Sequence, residues 1–288
     1  MSDPPSKQAA SRDPQPESAR RDVKTLMFFS VDLAGSTDFK GSLNTKHHKP
    51  VWLDSFEAFF RELPLVFMGQ IAVAFQDSEL TPEIDVWKII GDEIVFRAEP
   101  KSADEGIRLL KAFYCCIVAY DQRLFDRWPL RLKGTCWAAR FPKRNIEIAI
   151  PEMAGPGDVS GATYVDFLGP DVDIGFRISQ HAPIGGVIIS LNLAEAIAPL
   201  SEEYYLRFHF AGKSNLKGVF SGRPYPLLLI SIADCLPDLW QWENEEPYYR
   251  RLLLEESPMD AKELAELAKK IRCYLNRMCH LGLKTLDF

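Results

Sequence analysis

The sequence has no long apolar run, no paired-cysteine motif and no excess of positive charge. No uninterrupted apolar stretch reaches the roughly 20 residues that a membrane-spanning helix needs. The six cysteines, Cys115, Cys116, Cys136, Cys235, Cys273 and Cys279, form none of the CxxC pairs of zinc ribbons. No leader of the secretory type precedes them, which predicts reduced thiols in a soluble, cytoplasmic protein with no membrane association. The formal net charge is −6, which argues against coating a nucleic acid. It leaves room for one nucleotide, whose phosphates a local basic cluster and metal ions can neutralise. No repeat of 20–50 residues is visible. After Met1, residues 2–22 contain no large apolar side chain. They cannot bury enough surface to offset their ordering entropy, and residues 1–22 are predicted to be disordered.

What remains is a chain of 288 residues, 47% apolar, with ample material for a core. From Thr25 short β-rich runs alternate with helical spacings. Strands are predicted over about 25–32, 84–90, 93–98, 130–139, 186–190, 205–210 and 225–232, with a short extra strand over 70–76. Helices are predicted over about 51–67, 102–127, 169–180 and 191–197, with Pro64 bending or ending the first. Residues 77–83 and 151–163 read as loops. This order suits an α+β layer, helices packed on a sheet, over residues 23–232. Residues 233–288 form a helical extension. There Asp260 can cap a helix whose apolar positions Leu264, Leu267, Ile271, Tyr274, Leu275 and Met278 recur every three or four residues. That face packs either on its own domain or on a second copy.

Two aspartates stand at the ends of apolar runs. Asp32 follows Leu26-Met27-Phe28-Phe29-Ser30-Val31, and Asp92 follows Val86-Trp87-Lys88-Ile89-Ile90-Gly91. A single strand-end aspartate is most often a turn former or a helix cap. Two of them on neighbouring strands can hold a pair of divalent cations against a triphosphate.

The motifs around them, in order, resemble the class III nucleotidyl cyclase catalytic domain over about residues 25–232. Phe29-Ser30-Val31-Asp32-Leu33-Ala34-Gly35-Ser36-Thr37 is similar to the first metal motif, and Lys88-Ile89-Ile90-Gly91-Asp92 to the hairpin with the second metal aspartate. Asp166 to Arg177 is similar to the segment of base-reading and transition-state residues, and Leu216-Lys217-Gly218 to the terminal phosphate-lysine motif. The resemblance implies a ferredoxin-like βαββαβ core and two Mg²⁺ or Mn²⁺ ions per site on Asp32, Asp92 and the Leu33 backbone. Gly35, Ser36 and Thr37 would offer N–H groups to the phosphates, with Arg131 and Lys217 as phosphate cations. Lys88 and Asp166 would read the base, Asp173 would orient the ribose, and Arg177 would neutralise charge at the α-phosphoryl group. It also implies a head-to-tail homodimer whose two sites each draw residues from both subunits.

Two departures bear on function. The family commonly has Asn at the position of Asp173, and the spacing from Asp32 to Asp92 is longer than usual, placing an insertion near 69–83. Lys88 and Asp166 hold the positions that read adenine in adenylate cyclases. One donor and one acceptor also complement uracil or cytosine. The run Gly169-Pro170-Asp171-Val172-Asp173-Ile174-Gly175-Phe176-Arg177 resembles the bacterial anti-phage pyrimidine cyclases of the Pycsar type. That implies a nucleoside triphosphate substrate, a cyclic UMP or cyclic CMP product, and a separate effector that binds it.

Overall fold

The computed structural model describes residues 23–41, 45–46, 49–142, 144–151, 163–219, 222–235, 258–280 and 282–288. The expected disordered head and most of the expected 151–163 loop lie outside them. Eleven strands and six helices are described, beginning with β1 (Lys24–Ala34), α1 (Ser36–Gly41), the two-residue ladder β2 (Thr45–Lys46) with β3 (Lys49–Pro50), and α2 (Val51–Ala74). Then come β4 (Ile84–Ile90), β5 (Glu93–Ala98), α3 (Ala103–Phe125), β6 (Arg131–Phe141), β7 (Ile146–Pro151) and β8 (Thr163–Leu168). The chain continues through α4 (Pro170–Ile178), β9 (Val187–Ile189), α5 (Leu191–Ile197), β10 (Leu206–Ser214), β11 (Tyr225–Ile232) and α6 (Ala261–Cys279).

Seven strands form one sheet in the order β10-β11-β9-β6-β1-β5-β4, antiparallel except where β6 meets β9. β1 is an inner strand between β6 and β5, covered on both faces, so it reads as a near-continuous apolar run rather than an alternation. Met27, Phe29, Val31 and Leu33 join the larger core under α2 and α3. Leu26 and Phe28 turn to the opposite face, where Trp87, Trp137 and Phe167 pack on them. There Phe28 stacks on Trp137 at 5.3 Å and tilts against Trp87 at 5.0 Å. The β7–β8 hairpin and α4 cover this second face.

The expected strand over 70–76 is instead the last turns of α2. Phe67, Ile71 and Phe75, each no more than 3% exposed, extend the three-and-four spacing set by Phe56, Phe59 and Leu63. Burying three such side chains contributes about 2 kcal/mol each. That exceeds the roughly 3 kcal/mol that Pro64 costs inside the helix. The longer Asp32-to-Asp92 spacing is thus taken up by helix α2 and the irregular residues after it.

Strands β7 and β8 were not anticipated. Their signal is present as Ile146-Glu147-Ile148-Ala149-Ile150, an alternation of period two, but it carries its isoleucines outward: Ile146, Ile148 and Ile150 are 49%, 38% and 43% exposed. The 169–180 helix is shorter than expected. Gly169 takes φ +146° just before Pro170, and the last turn is a 3₁₀ turn over Ser179–His181.

Helix α6 packs on its own domain. Asp260 and Glu263 form a reciprocal capping box at its start. Leu264, Ala268 and Leu275 are buried, and Arg272 makes a doubly bonded ion pair with Glu195 of α5. His280 ends the helix with φ +51°. The following residues run back over the sheet, Asn276 clamping both backbone groups of Leu283, and the Asp287 carbonyl accepts from Thr25 of β1. No described helix is long and apolar enough to cross a membrane.

Candidate active site

Along β1, the side chains facing the second core change from apolar to polar: Leu26, Phe28, Ser30, Asp32. Asp32 lies opposite Glu93 of β5 on one side and Lys133 of β6 on the other. Ser30 donates to Glu93. Asp92 occupies the two-residue turn between β4 and β5, where Gly91 takes φ +65° without strain. The chain leaves β1 through Gly35, at φ +84°, and starts α1 at Ser36, whose buried hydroxyl donates to Asp92 Oδ2. Lys40 of α1 stands 3.9 Å from that same oxygen. Strand β1, the β4–β5 turn and α1 therefore bring Asp32, Asp92, Glu93, Ser36, Lys40 and Lys133 to one corner of the sheet.

The electrostatics of this corner are anionic and strained. Burial, followed by the Asp92 charge, raises the pKa of Asp32, against the opposing pull of Lys133, the Leu33 N–H and Lys40. Glu93 is also raised, first by burial, with Asp32 and Asp92 adding and the Ser30 hydroxyl opposing. A divalent cation relieves that repulsion, and hard carboxylate oxygens are the donors Mg²⁺ or Mn²⁺ takes. Among the described residues no three His, Cys, Asp or Glu side chains converge tightly enough to hold a metal alone. Two carboxylates completed by a backbone carbonyl and substrate phosphates are a donor set that fits.

The second group of expected residues lies around the β7–β8 hairpin. Lys88 Nζ meets Asp166 Oδ1 at 2.7 Å and sits 4.2 Å over the Trp87 ring. The same Asp166 oxygen accepts from the Phe167 N–H. Lys88 reaches it because a bulge between Val86 and Lys88 shifts the β4 register. Asp173 and Arg177 are one turn apart on α4, the first exposed and the second half-buried. Neither makes an ion pair among the described residues. α4 is seated by Gly175, where an added Cβ would fall 2.1 Å from Trp137 Cδ2. Buried Asn145 also holds it, donating to Asp171 Oδ2 and accepting from the Asp171 N–H.

The structure thus brings Asp32 to Asp92 and Lys88 to Asp166. It does not bring Arg131 to the aspartates. The Arg131 guanidinium lies on Asp121 of α3 at 2.8 Å, and the other Asp121 oxygen accepts from the Leu132 N–H. Lys217 is exposed on the turn after β10, near Gly218 at φ +77°. Lys133, Lys40 and Glu93 were missed by sequence reasoning. Lys133 becomes visible only through the β1–β6 register, whereas Glu93 adjoins Asp92 and was legible.

No protein-family model and no curated protein matches this sequence. Solved structures do. The adenylyl cyclase CyaB from P. aeruginosa superposes with a TM-score of 0.52 at 14% identity, over 76% of this chain and 97% of that one. A bacterial light-regulated adenylyl cyclase gives 0.50 at 10% identity, over 89% of this chain and 60% of its own length. The guanylyl cyclase Cya2 gives 0.47 at 17% identity over 73% of this chain and 93% of that one. The chain has the class III nucleotidyl cyclase fold.

Proposed function

We propose that this protein is a metal-dependent nucleotidyl cyclase that converts a pyrimidine nucleoside triphosphate, UTP before CTP, into its 3′,5′-cyclic nucleotide and diphosphate. The observation that carries the cyclase reading is the pairing of Asp32 with Asp92 at one sheet corner of this fold, close enough that the Asp92 charge, after burial, raises the pKa of Asp32. In the reaction the ribose 3′-hydroxyl releases its proton to solvent and its oxygen bonds to the α-phosphorus, while the bond from the α-phosphorus to the oxygen bridging it to the β-phosphorus breaks and diphosphate leaves.

Asp32, Asp92 and the Leu33 carbonyl would hold two Mg²⁺ or Mn²⁺ ions. When bound, these ions supply the charge that makes the 3′-hydroxyl acidic and neutralises the triphosphate. Gly35, Ser36 and Thr37 supply backbone N–H groups to the phosphates. Lys133 and Lys40 flank the aspartates as phosphate cations, with Lys217 as a further one. Arg177 neutralises charge developing at the α-phosphoryl group and Asp173 orients the ribose.

The Lys88–Asp166 pair complements uracil, whose carbonyl accepts from the ammonium and whose N3–H donates to the carboxylate. The resemblance of the 169–177 run supports a pyrimidine and a role as a second-messenger source in bacterial anti-phage defence, with a separate cyclic-nucleotide effector. Exposed Ile90 shares the β4 face of Lys88, and exposed Ile148 and Leu168 share the hairpin face of Asp166. An apolar surface of this kind supports a homodimer in which one subunit's aspartates meet the other's base pocket. The same pair favours a second reading, an adenylate cyclase, because adenine presents an amino donor beside a ring acceptor.

The test is product formation by the purified full chain with Mn²⁺ and each of the four nucleoside triphosphates. Cyclic UMP is expected, falling about 100-fold or more in Asp92→Asn. Cyclic AMP alone would favour the second reading, and no cyclic product from any of the four would overturn both.

A further inference from the structure

A cavity of about 480 Å³ lies between the sheet-covering helix α4, helix α5, helix α6 and the strap of residues 282–286. Its size falls within the range of small-molecule sites. It is distinct from the Asp32 corner. Arg140, which lines it, stands seven residues along β6 from Lys133, about 23 Å at the usual rise of a strand.

The walls are largely apolar, built by Ile174 of α4, Leu191 of α5, Ile271 and Leu275 of α6, and Leu286 of the strap. Six charged side chains complete them, and four neutralise one another. Arg144 holds Asp171 at 2.9 Å, and Arg272 holds Glu195. Two cations are left over. Among the described residues Arg140 pairs only with the exposed Asp287, at 3.4 Å, and its buried Nε has no hydrogen-bond partner. Lys284 makes no ion pair among the described residues. A guanidinium whose ion pair is this long, and made to an exposed carboxylate, keeps donors for a second anionic partner. The guanidinium fork presents two parallel donors, the geometry that a carboxylate accepts.

From these features we infer that the cavity is a binding site for a small amphipathic carboxylate, its head on Arg140 and Lys284 and its apolar body against α4 and α6. Such an occupant leans on α4 through Pro170 and Ile174, the helix that carries Asp173 and Arg177. Any consequence for turnover rests on the cyclase reading; the binding itself does not, so the test reads binding.

The experiment is calorimetric titration of the full chain with decanoate, below its micellar range, and with 1-decanol. Saturable single-site binding of decanoate is expected, at least about tenfold tighter than decanol, because the charge-assisted bonds are lost with the carboxylate. Arg140→Met should weaken decanoate to the level of decanol. Ala268→Trp, which fills the space from α6, should abolish binding of both. Circular dichroism verifies that each variant is folded. The proposal is overturned if wild-type protein does not bind decanoate or binds decanol equally well. It is equally overturned if folded Arg140→Met or Ala268→Trp binds decanoate as wild type does. Should Arg140→Met not fold, the wild-type comparison of decanoate with decanol decides.

Discussion

His209 shows how burial sets the behaviour of one side chain. It lies on β10 opposite Leu229, 8% exposed, with Nε2 sharing a 2.7 Å hydrogen bond with Ser231 Oγ. Burial, with a smaller push from Arg207, lowers its pKa to about 4. The folded state therefore keeps the imidazole neutral, while the unfolded chain takes up a proton below its ordinary value near 6.5. The sign follows: this contribution is complete above pH 6.5 and is lost as pH falls toward 4, by up to about 3 kcal/mol. Urea midpoints measured across that window should fall less steeply in His209→Gln than in wild type. At this scale Asp32 and Asp92 were legible from sequence, because a carboxylate ending an apolar run is conspicuous. Arg131 was legible too, but only as a cation; nothing in the sequence shows that Asp121, ten residues earlier, holds it.

At the scale of elements, α4 depends on a contact rather than on helical propensity. It has nine residues, starts at Pro170 and holds Gly175 in its middle, where glycine weakens a helix. The glycine is needed because the helix lies directly on Trp137, fully buried in β6. Gly175→Ala would force an overpacking of about 3 kcal/mol, since neither the indole nor the sheet beneath it can yield. The expected result is a lowered urea midpoint together with reduced turnover as Arg177 is displaced; an unchanged midpoint would refute the packing argument. Helix α2 teaches the converse. Ile71-Ala72-Val73-Ala74-Phe75 alternates as a strand does, and Pro64 advises a stop. The choice went to the helix because Phe67, Ile71 and Phe75 find buried places on the sheet, and such places do not exist until α2 docks.

For the whole molecule, the expected residues form two groups, the Asp32–Asp92 corner and the Lys88–Asp166 pair, and among the described residues no hydrogen bond or ion pair joins one to the other. If the site is composite across a two-fold homodimer, each defect can be supplied by the partner. Mixing inactive Asp32→Asn with inactive Arg177→Ala chains should then restore about a quarter of wild-type activity, since half the dimers carry one intact site of two. A site contained within one chain would recover nothing on mixing.

The sequence by itself determined the α+β class, the positions of most strands and helices, the motif order and the two aspartates. These are local matters of spacing, β-branching, capping and turn residues, each readable over about ten residues. Tertiary structure alone decided that Lys133 faces Asp32, that Arg131 is bound to Asp121, that residues 70–74 are helical, and that α6 folds onto α5 around a cavity. Each of those depends on which distant surface a segment meets, and a register, an ion pair or a burial site comes into being only when the two surfaces are packed.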